Sequence, residues 1–114
     1  MDRMSYFLEL YGRVPRAGPG STECTQRAYR LMANLPETPH ILDIGCGPGV
    51  QTVDLLTLSD GSVLALDFLP LMIGRTKANA GRAGVSGRLE VVQQDMREMQ
   101  FPPESFDIVW SEGA

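Results

Sequence analysis

The chain has 114 residues, enough for one domain with a modest hydrophobic core. Its 43% hydrophobic and 21% charged residues are ordinary for a soluble globular protein. The formal net charge of -4 gives nucleic acids and anionic membranes no attractive field, so we expect neither as a partner and favour a small or neutral one.

Cysteine and histidine are too few and too widely spaced to predict a metal site. The cysteines are Cys24 and Cys46, and the single histidine is His40, whereas zinc sites use closely spaced pairs of ligands. The sequence has no apolar run of about 18 residues and no N-terminal signal segment. Together with the few cysteines, these features predict a cytoplasmic protein without a metal.

Residues 1–37 are expected to form a helical segment, either a lid over a ligand site or a cover for a sheet edge. Apolar residues at positions 4, 7, 8 and 11 have helical spacing, and the prolines and glycines of residues 14–20 then indicate a loop. Ser21 favours the start of a second helix, which continues to Leu35 before Pro36. In that helix Cys24 is expected to be a small core residue.

Residues 38–114 alternate strands with helices, which is typical of an α/β domain. The first predicted strand lies directly before Gly45, and further strands are predicted at residues 62–66, 88–93 and 106–111. Helices are predicted between them, at residues 49–58 and from Pro70 to about residue 83. This alternation predicts a parallel sheet with right-handed crossovers and helices on both faces, hence three layers.

The segment at residues 41–50 (ILDIGCGPGV) organises this domain, because its apolar strand runs directly into three glycines. Glycines there let the backbone turn sharply and approach a ligand, and the following helix presents free N–H groups. The dinucleotide pattern Gly-x-Gly-x-x-Gly matches at Gly45 and Gly47, but Val50 takes the third glycine position and Gly49 comes one residue early. An NAD-type module is therefore disfavoured and stays open as an alternative.

Three aspartates, Asp43, Asp67 and Asp95, fall at or near the C-terminal ends of predicted strands. That edge is where open α/β sheets bind ligands. Asp67 follows the first glycine at about the 20-residue separation at which an acid binds the ribose of an adenosine. Alternatively, Asp67 only caps the helix that begins at Pro70. Three acids on one edge favour the ligand-binding role.

The ordered motifs over residues 38–111 resemble the class I S-adenosylmethionine-dependent methyltransferases of the small-molecule type. The matching stretches are residues 41–49 (ILDIGCGPG), residues 64–67 (LALD) with Met72 and Ile73, residues 94–96 (QDM) and residues 106–111 (FDIVWS). The resemblance implies a Rossmann-like sheet with the predicted strands in the order 3-2-1-4. It covers the N-terminal half of the family's domain, so we expect a partial domain over residues 38–114, truncated after the fourth strand.

The resemblance also implies which residues bind S-adenosylmethionine and its product, S-adenosylhomocysteine. Gly45 and Gly47, with Cys46 between them, would give the methionyl part a close backbone approach. Asp43 would face the amino group, and Ser111 would line the methionine side of the pocket. An acidic edge suits the positively charged sulfonium and ammonium groups, whereas a pyrophosphate would be repelled.

On the adenosine side, the resemblance implies a second group of residues. Asp67 would hold the ribose, and Phe68 and Met72 would flank the adenine. Asp95, with Met96, would contact the amino edge of the base.

We therefore expect methyl transfer to an unidentified small-molecule acceptor, or the cofactor-binding half of an enzyme with that activity. The sequence indicates no general base. Two alternatives remain: the NAD-type module, and a non-catalytic fragment that self-associates. The fourth predicted strand, at residues 106–111, would have an open apolar edge, which predicts a homodimer through this edge or by exchange of elements.

Overall fold

The computed structural model describes residues 6–9, 18–98 and 105–111. In these ranges the elements are, in chain order, β1 (Tyr6–Glu9), α1 (Gly18–Arg30), β2 (His40–Ile44), α2 (Val50–Leu58), β3 (Ser62–Asp67), α3 (Pro70–Ala83), a 3₁₀ turn (Ser86–Arg88), β4 (Leu89–Gln93), a 3₁₀ turn (Met96–Glu98) and β5 (Ile108–Ser111). The five described strands are parallel and form one sheet in the order β1-β5-β2-β3-β4.

The predicted strand order 3-2-1-4 is confirmed, since the four predicted strands correspond to β2, β3, β4 and β5 in chain order. On one side of β2, the pairing with β3 ends at Ile44 beside Leu66. On the other side, β5 pairs with β2 and ends at Ser111, also beside Ile44. The C-terminal ends of these strands therefore lie next to one another.

Two hydrophobic clusters lie on the two faces of the sheet, because alternate side chains of a strand point to opposite faces. The first cluster includes leucines of α2 and has α1 packed against it, and the described members of the second come from strands and from Phe106. The first cluster contains Ile41, Cys46, Leu55, Leu56, Val63, Ala65, Ile108 and Trp110, with Ala28 and Tyr29 of α1 against it. The second contains Leu42, Ile44 and Leu66, with Leu64, Val92, Phe106 and Val109 against it.

The helix predicted over positions 4–11 is wrong at its centre, where residues Tyr6–Glu9 form β1. This strand pairs in parallel with β5, from Tyr6 beside Ile108 to Glu9 beside Ser111. The helical spacing of four apolar residues is too short a pattern to separate helix from strand, and pairing with β5 decides the outcome. The edge of β5 that was expected to be open is occupied by β1, so the predicted dimer contact at that edge is wrong.

α1 begins and ends earlier than the sequence predicts. It covers Gly18–Arg30, so it starts ahead of Ser21. Pro19 is tolerated there because the N–H groups of a first helical turn have no helical partner. Leu35 lies beyond the helix, yet it still packs against the first cluster. The division between residues 1–37 and 38–114 stays a prediction.

α3 covers Pro70–Ala83, as predicted, whereas Arg88 lies in a 3₁₀ turn and not in the predicted strand. The Arg88 guanidinium donates hydrogen bonds to the carbonyls of Leu56, Ser59 and Gly61 at 2.9 to 3.1 Å. Since carbonyls at a helix end lack helical partners, Arg88 satisfies groups that the end of α2 leaves free.

A cavity of about 410 Å³ opens at the amino-terminal edge of the sheet, beside His40, Ser62 and Arg88. In the described ranges no helix has the length and apolar character to cross a membrane. Nor do the described side chains include three His, Cys, Asp or Glu residues grouped so that they could hold a metal ion.

Candidate functional site

The turn between β2 and α2 contains three glycines in the left-handed conformation. Gly45, Gly47 and Gly49 have φ angles of 68°, 59° and 88°, which residues with a side chain rarely adopt. Gly49 is also the N-cap residue of α2 and makes no side-chain cap. The path of the backbone into α2 therefore depends on glycine at all three positions.

Gly47 lies on the open side of this turn. A Cβ atom built on Gly47 would meet no atom within 4 Å. The Gly47 N–H donates to Asp67 Oδ2 at 2.9 Å, and the Gly47 carbonyl accepts from Thr76 Oγ1 at 2.8 Å. The peptide groups are thus fixed on two sides, while the space beside Cα is open to a ligand.

Asp67 ends β3 and faces the glycine turn. Its Oδ2 binds the Gly47 N–H, and its Oδ1 accepts from the Leu69 N–H at 2.9 Å. Since a carboxylate oxygen can accept two hydrogen bonds, each oxygen retains capacity for a ligand hydroxyl. The Asp67 side chain can therefore cap the chain before Pro70 and still accept hydrogen bonds from a ribose.

Asp43 lies beneath the turn with 0% exposure. Its Oδ2 accepts from Thr52 Oγ1 at 2.5 Å and from Gln51 Nε2 at 3.3 Å. Gln51 Nε2 also donates to the Cys46 carbonyl at 2.8 Å. Asp43 therefore fixes the first turn of α2 and, through Gln51, the glycine turn, and presents no carboxylate surface to solvent.

Cys46 places its side chain in the first hydrophobic cluster, with only 1% exposure. Burial raises the pKa of the Cys46 thiol to about 11, although the contact with Thr76 opposes the shift. The thiol is therefore neutral at physiological pH. Only the backbone of Cys46 can contribute to the open side of the turn.

We expect Cys46 to be alkylated by iodoacetamide far more slowly than Cys24. Both thiols are free, but Cys24 is half-buried and Cys46 is buried. At pH 8 a thiol with a pKa of about 11 is thiolate in only roughly 0.1% of molecules. Mass spectrometry of the native protein over time measures the two rates, and guanidinium should make them equal. Equal alkylation rates in the native protein would contradict the burial of the Cys46 thiol.

Large apolar side chains lie exposed where the chain leaves Asp67. The exposed fractions are 63% for Phe68, 50% for Leu69 and 61% for Leu71, while Met72 is half-buried. An apolar surface beside a fixed carboxylate has the composition of a site for a flat, partly polar ligand. Phe68 therefore lies in an exposed apolar surface that Leu69 and Leu71 enlarge, and contact of Phe68 and Met72 with an adenine stays a prediction.

Asp95 follows β4 on the same edge and is bound by Arg97. The Arg97 backbone N–H donates to Asp95 Oδ1 at 2.9 Å, and the guanidinium contacts both carboxylate oxygens at 2.6 to 3.1 Å. These hydrogen bonds lower the pKa of Asp95 to about 2, so the carboxylate is ionised at neutral pH. Only the backbone of Met96, in the 3₁₀ turn, is described, so its contact with a base stays a prediction.

Strand register brings these residues to one edge of the sheet. Ser111, which is 4% exposed, pairs beside Ile44, where β2 enters the glycine turn. Asp67 pairs beside Gln93, the last residue of β4. Of the residues proposed from the sequence, Asp67 and Ser111 lie on either side of the turn, and Asp95 lies farther along the same edge.

The sequence reasoning missed the polar residues behind the turn. Gln51 and Thr52 bind Asp43, and Thr76 and Asn79 bind carbonyls of the turn. A polar side chain on the buried face of an amphipathic helix is the one signal that could have identified Thr76.

Residues 41–114 match the family described as Methyltransferase domain. Sterol 24-C-methyltransferase erg6 of Aspergillus fumigatus is 34% identical over 77 residues, covering 68% of this chain and 20% of that protein. The 27-O-demethylrifamycin SV methyltransferase of Amycolatopsis mediterranei is 32% identical over 89 residues, covering 76% of this chain and 33% of that protein. The chain therefore spans a fifth to a third of the length of these relatives.

The fold is similar to that of a Methanococcus maripaludis protein classed with the S-adenosyl-L-methionine-dependent methyltransferases. The TM-score is 0.75 with 26% identity, over 84% of this chain and 43% of that protein. The family match covers the glycine turn and all the strands that follow it. On this match, and on the strand order that agrees with it, the chain belongs to the S-adenosylmethionine-dependent methyltransferase family.

Proposed function

We propose that this chain binds S-adenosylmethionine at the carboxyl edge of its sheet, as the cofactor-binding part of an enzyme that methylates a small molecule. The main support is the joint geometry of Gly47 and Asp67. The Gly47 N–H lies 2.9 Å from Asp67 Oδ2, and the position of a Gly47 Cβ is open. A close backbone approach beside a carboxylate fits a ligand that carries both an amino acid and a ribose.

In this proposal the turn binds the methionyl part. Gly45 and Gly47, with the backbone of Cys46, line the close approach, and Ser111 lies beside them at the end of β5. The ammonium group is assigned to the part of the turn above Asp43, which is buried and acts on the turn through Gln51. When bound, S-adenosylmethionine supplies an electrophilic methyl group on a positively charged sulfonium.

The adenosine part is assigned to the acidic and apolar residues beyond β3 and β4. Asp67 accepts hydrogen bonds from the ribose hydroxyls, and Phe68 and Met72 flank the adenine. The ionised carboxylate of Asp95 accepts from the amino group of the base, with Met96 beside it. Arg97 holds the Asp95 carboxylate in place through hydrogen bonds to both of its oxygens.

We propose a small organic acceptor, because the names of both relatives denote methylation of such a molecule, a sterol in one and a rifamycin in the other. The net charge of -4 supports the exclusion of nucleic acid and membrane surfaces as partners. A cytoplasmic location is proposed from the free thiols of Cys24 and Cys46. A homodimer remains a proposal that light scattering at high concentration tests, now without the edge of β5 as its contact.

Thermal unfolding with S-adenosylhomocysteine tests the proposed binding site. A ligand at one hundred times its Kd stabilises the folded state by about 2.7 kcal/mol, which raises the Tm of a domain of this size by roughly 10 °C. The same concentration of NADH should leave the Tm unchanged. A Tm shift with NADH and none with S-adenosylhomocysteine would replace this proposal with the NAD-type module. No shift with either, in a folded oligomer, would favour the self-associating fragment.

A further inference from the structure

We propose that Thr76 and Asn79 of α3 are positioning residues that hold the glycine turn in its ligand-binding conformation. This role rests on the proposed function. In it, α3 controls the conformation of the glycine turn. Neither residue is expected to touch the cofactor, since both contact the turn through its carbonyl groups.

Two hydrogen bonds from α3 to the glycine turn form what we call the clamp. Thr76 Oγ1 donates to the Gly47 carbonyl at 2.8 Å, and Asn79 Nδ2 donates to the Pro48 carbonyl at 2.7 Å. Residues three apart on a helix share a face, so one face of α3 meets two successive carbonyls of the turn. Arg82 donates to Asn79 Oδ1, which orients the amide with its Nδ2 toward Pro48.

Thr76 also packs tightly against the turn. It has 0% exposure, and its Oγ1 lies 3.4 Å from Cys46 Sγ. A Cβ atom on Gly49 would lie only 2.7 to 2.9 Å from Thr76 atoms, including the backbone Cα. A single threonine therefore contacts Cys46, Gly47 and Gly49.

The turn needs such a clamp because its glycines have no side chains to fix it. Glycine loses more conformational freedom on folding than any other residue, and three of the five residues from Gly45 to Gly49 are glycine. When only a fraction of molecules has the binding conformation, the observed affinity falls by that fraction. Hydrogen bonds on the carbonyl side raise the fraction while they leave the ligand side open.

The N-terminal end of α3 lies beside the adenosine side of the site. It begins at Pro70, directly after Leu69, whose N–H binds Asp67 Oδ1. The contacts of Thr76 and Asn79 with the turn lie farther along the helix. Loss of the clamp should therefore weaken binding of the methionyl part more than that of adenosine, because Asp67 keeps its hydrogen bond from the Leu69 N–H.

Thr76→Val tests this selectivity, because it removes the hydroxyl and keeps the shape of the side chain. By calorimetry, we expect the Kd for S-adenosylhomocysteine to rise about fivefold, which corresponds to the loss of one ordinary hydrogen bond. The Kd for 5′-methylthioadenosine, which lacks the amino acid end, should change less than about twofold by the same reasoning. Thr76→Ser should restore the affinity for S-adenosylhomocysteine.

Thr57→Val is the matched control. Thr57 Oγ1 also donates to a backbone carbonyl, that of Val53 at 2.9 Å, but within α2 and on an exposed side chain. We expect this variant to bind both ligands as the wild type does. Asn79→Ala, at a half-buried position, should give the same selective loss if Thr76→Val does not fold.

Wild-type affinity for S-adenosylhomocysteine in Thr76→Val, or in Asn79→Ala if that variant replaces it, would overturn the clamp. An equal loss for both ligands would also overturn it, because it would indicate a general structural effect. Failure of the wild-type chain itself to bind S-adenosylhomocysteine would overturn the proposed function and this inference with it. A selective loss with rescue by serine would support both.

Discussion

Gly49→Ala is expected to lower the free energy of unfolding by about 3 kcal/mol and to abolish binding of S-adenosylhomocysteine. The φ angle of Gly49 is 88°, and a left-handed conformation costs a residue with a Cβ about 1 to 2 kcal/mol. The new methyl group would also lie 2.9 Å from the backbone Cα of Thr76, and overpacking typically adds about 1 to 3 kcal/mol. Urea denaturation and calorimetry measure the two effects.

Gly81→Ala is expected to change the free energy of unfolding in the opposite direction. Gly81 lies inside α3, and a Cβ atom there would meet nothing within 4 Å. Alanine in a helix interior should stabilise the protein by about 0.5 to 1 kcal/mol and leave binding unchanged. If Gly49→Ala were as stable as Gly81→Ala, the close packing of Thr76 of α3 against Gly49 would be contradicted.

Asp67→Asn is expected to weaken the binding of S-adenosylhomocysteine by about 30-fold or more, because a hydrogen bond to a charged group contributes about 1.5 to 3 kcal/mol. The substitution removes the negative charge and replaces one acceptor oxygen with a donor. Asp67 accepts from Gly47 and Leu69 with different oxygens, so one of these two bonds is also lost. Calorimetry with S-adenosylhomocysteine measures the loss of affinity.

Asp60→Asn is the control for Asp67→Asn, since Asp60 is an exposed carboxylate at the other edge of the sheet, in the turn before β3. We expect it to bind S-adenosylhomocysteine with wild-type affinity. Near wild-type affinity in Asp67→Asn would remove the ribose role and leave Asp67 as a cap for the chain entering α3.

Most of the fold could be predicted from the sequence, because the buried strands and amphipathic helices have clear periodicity. α3 begins at Pro70, which sets its own φ for a first helical turn. The spacing around Tyr6–Glu9 indicated a helix and was misleading, since pairing with β5, which is distant in sequence, decides their conformation. At the start of α2 hydrophobicity does not predict burial: Val50 is 45% exposed, whereas Gln51 and Thr52 are buried and donate hydrogen bonds to Asp43.

The residues of the candidate site that lie at the ends of strands could be predicted from the sequence. Asp67 and Ser111 end strands, so a parallel sheet places them at one edge. The contacts that fix the site join residues far apart in sequence, as with Thr76 and Gly47, 29 residues apart. No local pattern specifies such a contact, because it depends on how α3 crosses the turn.

Isothermal titration calorimetry of the wild-type chain, with S-adenosylhomocysteine and with NADH in parallel, tests the central claim most directly. The geometry of the glycine turn and Asp67 predicts saturable binding of one S-adenosylhomocysteine per chain and no binding of NADH. Saturable binding of NADH, with no heat from S-adenosylhomocysteine, would contradict it.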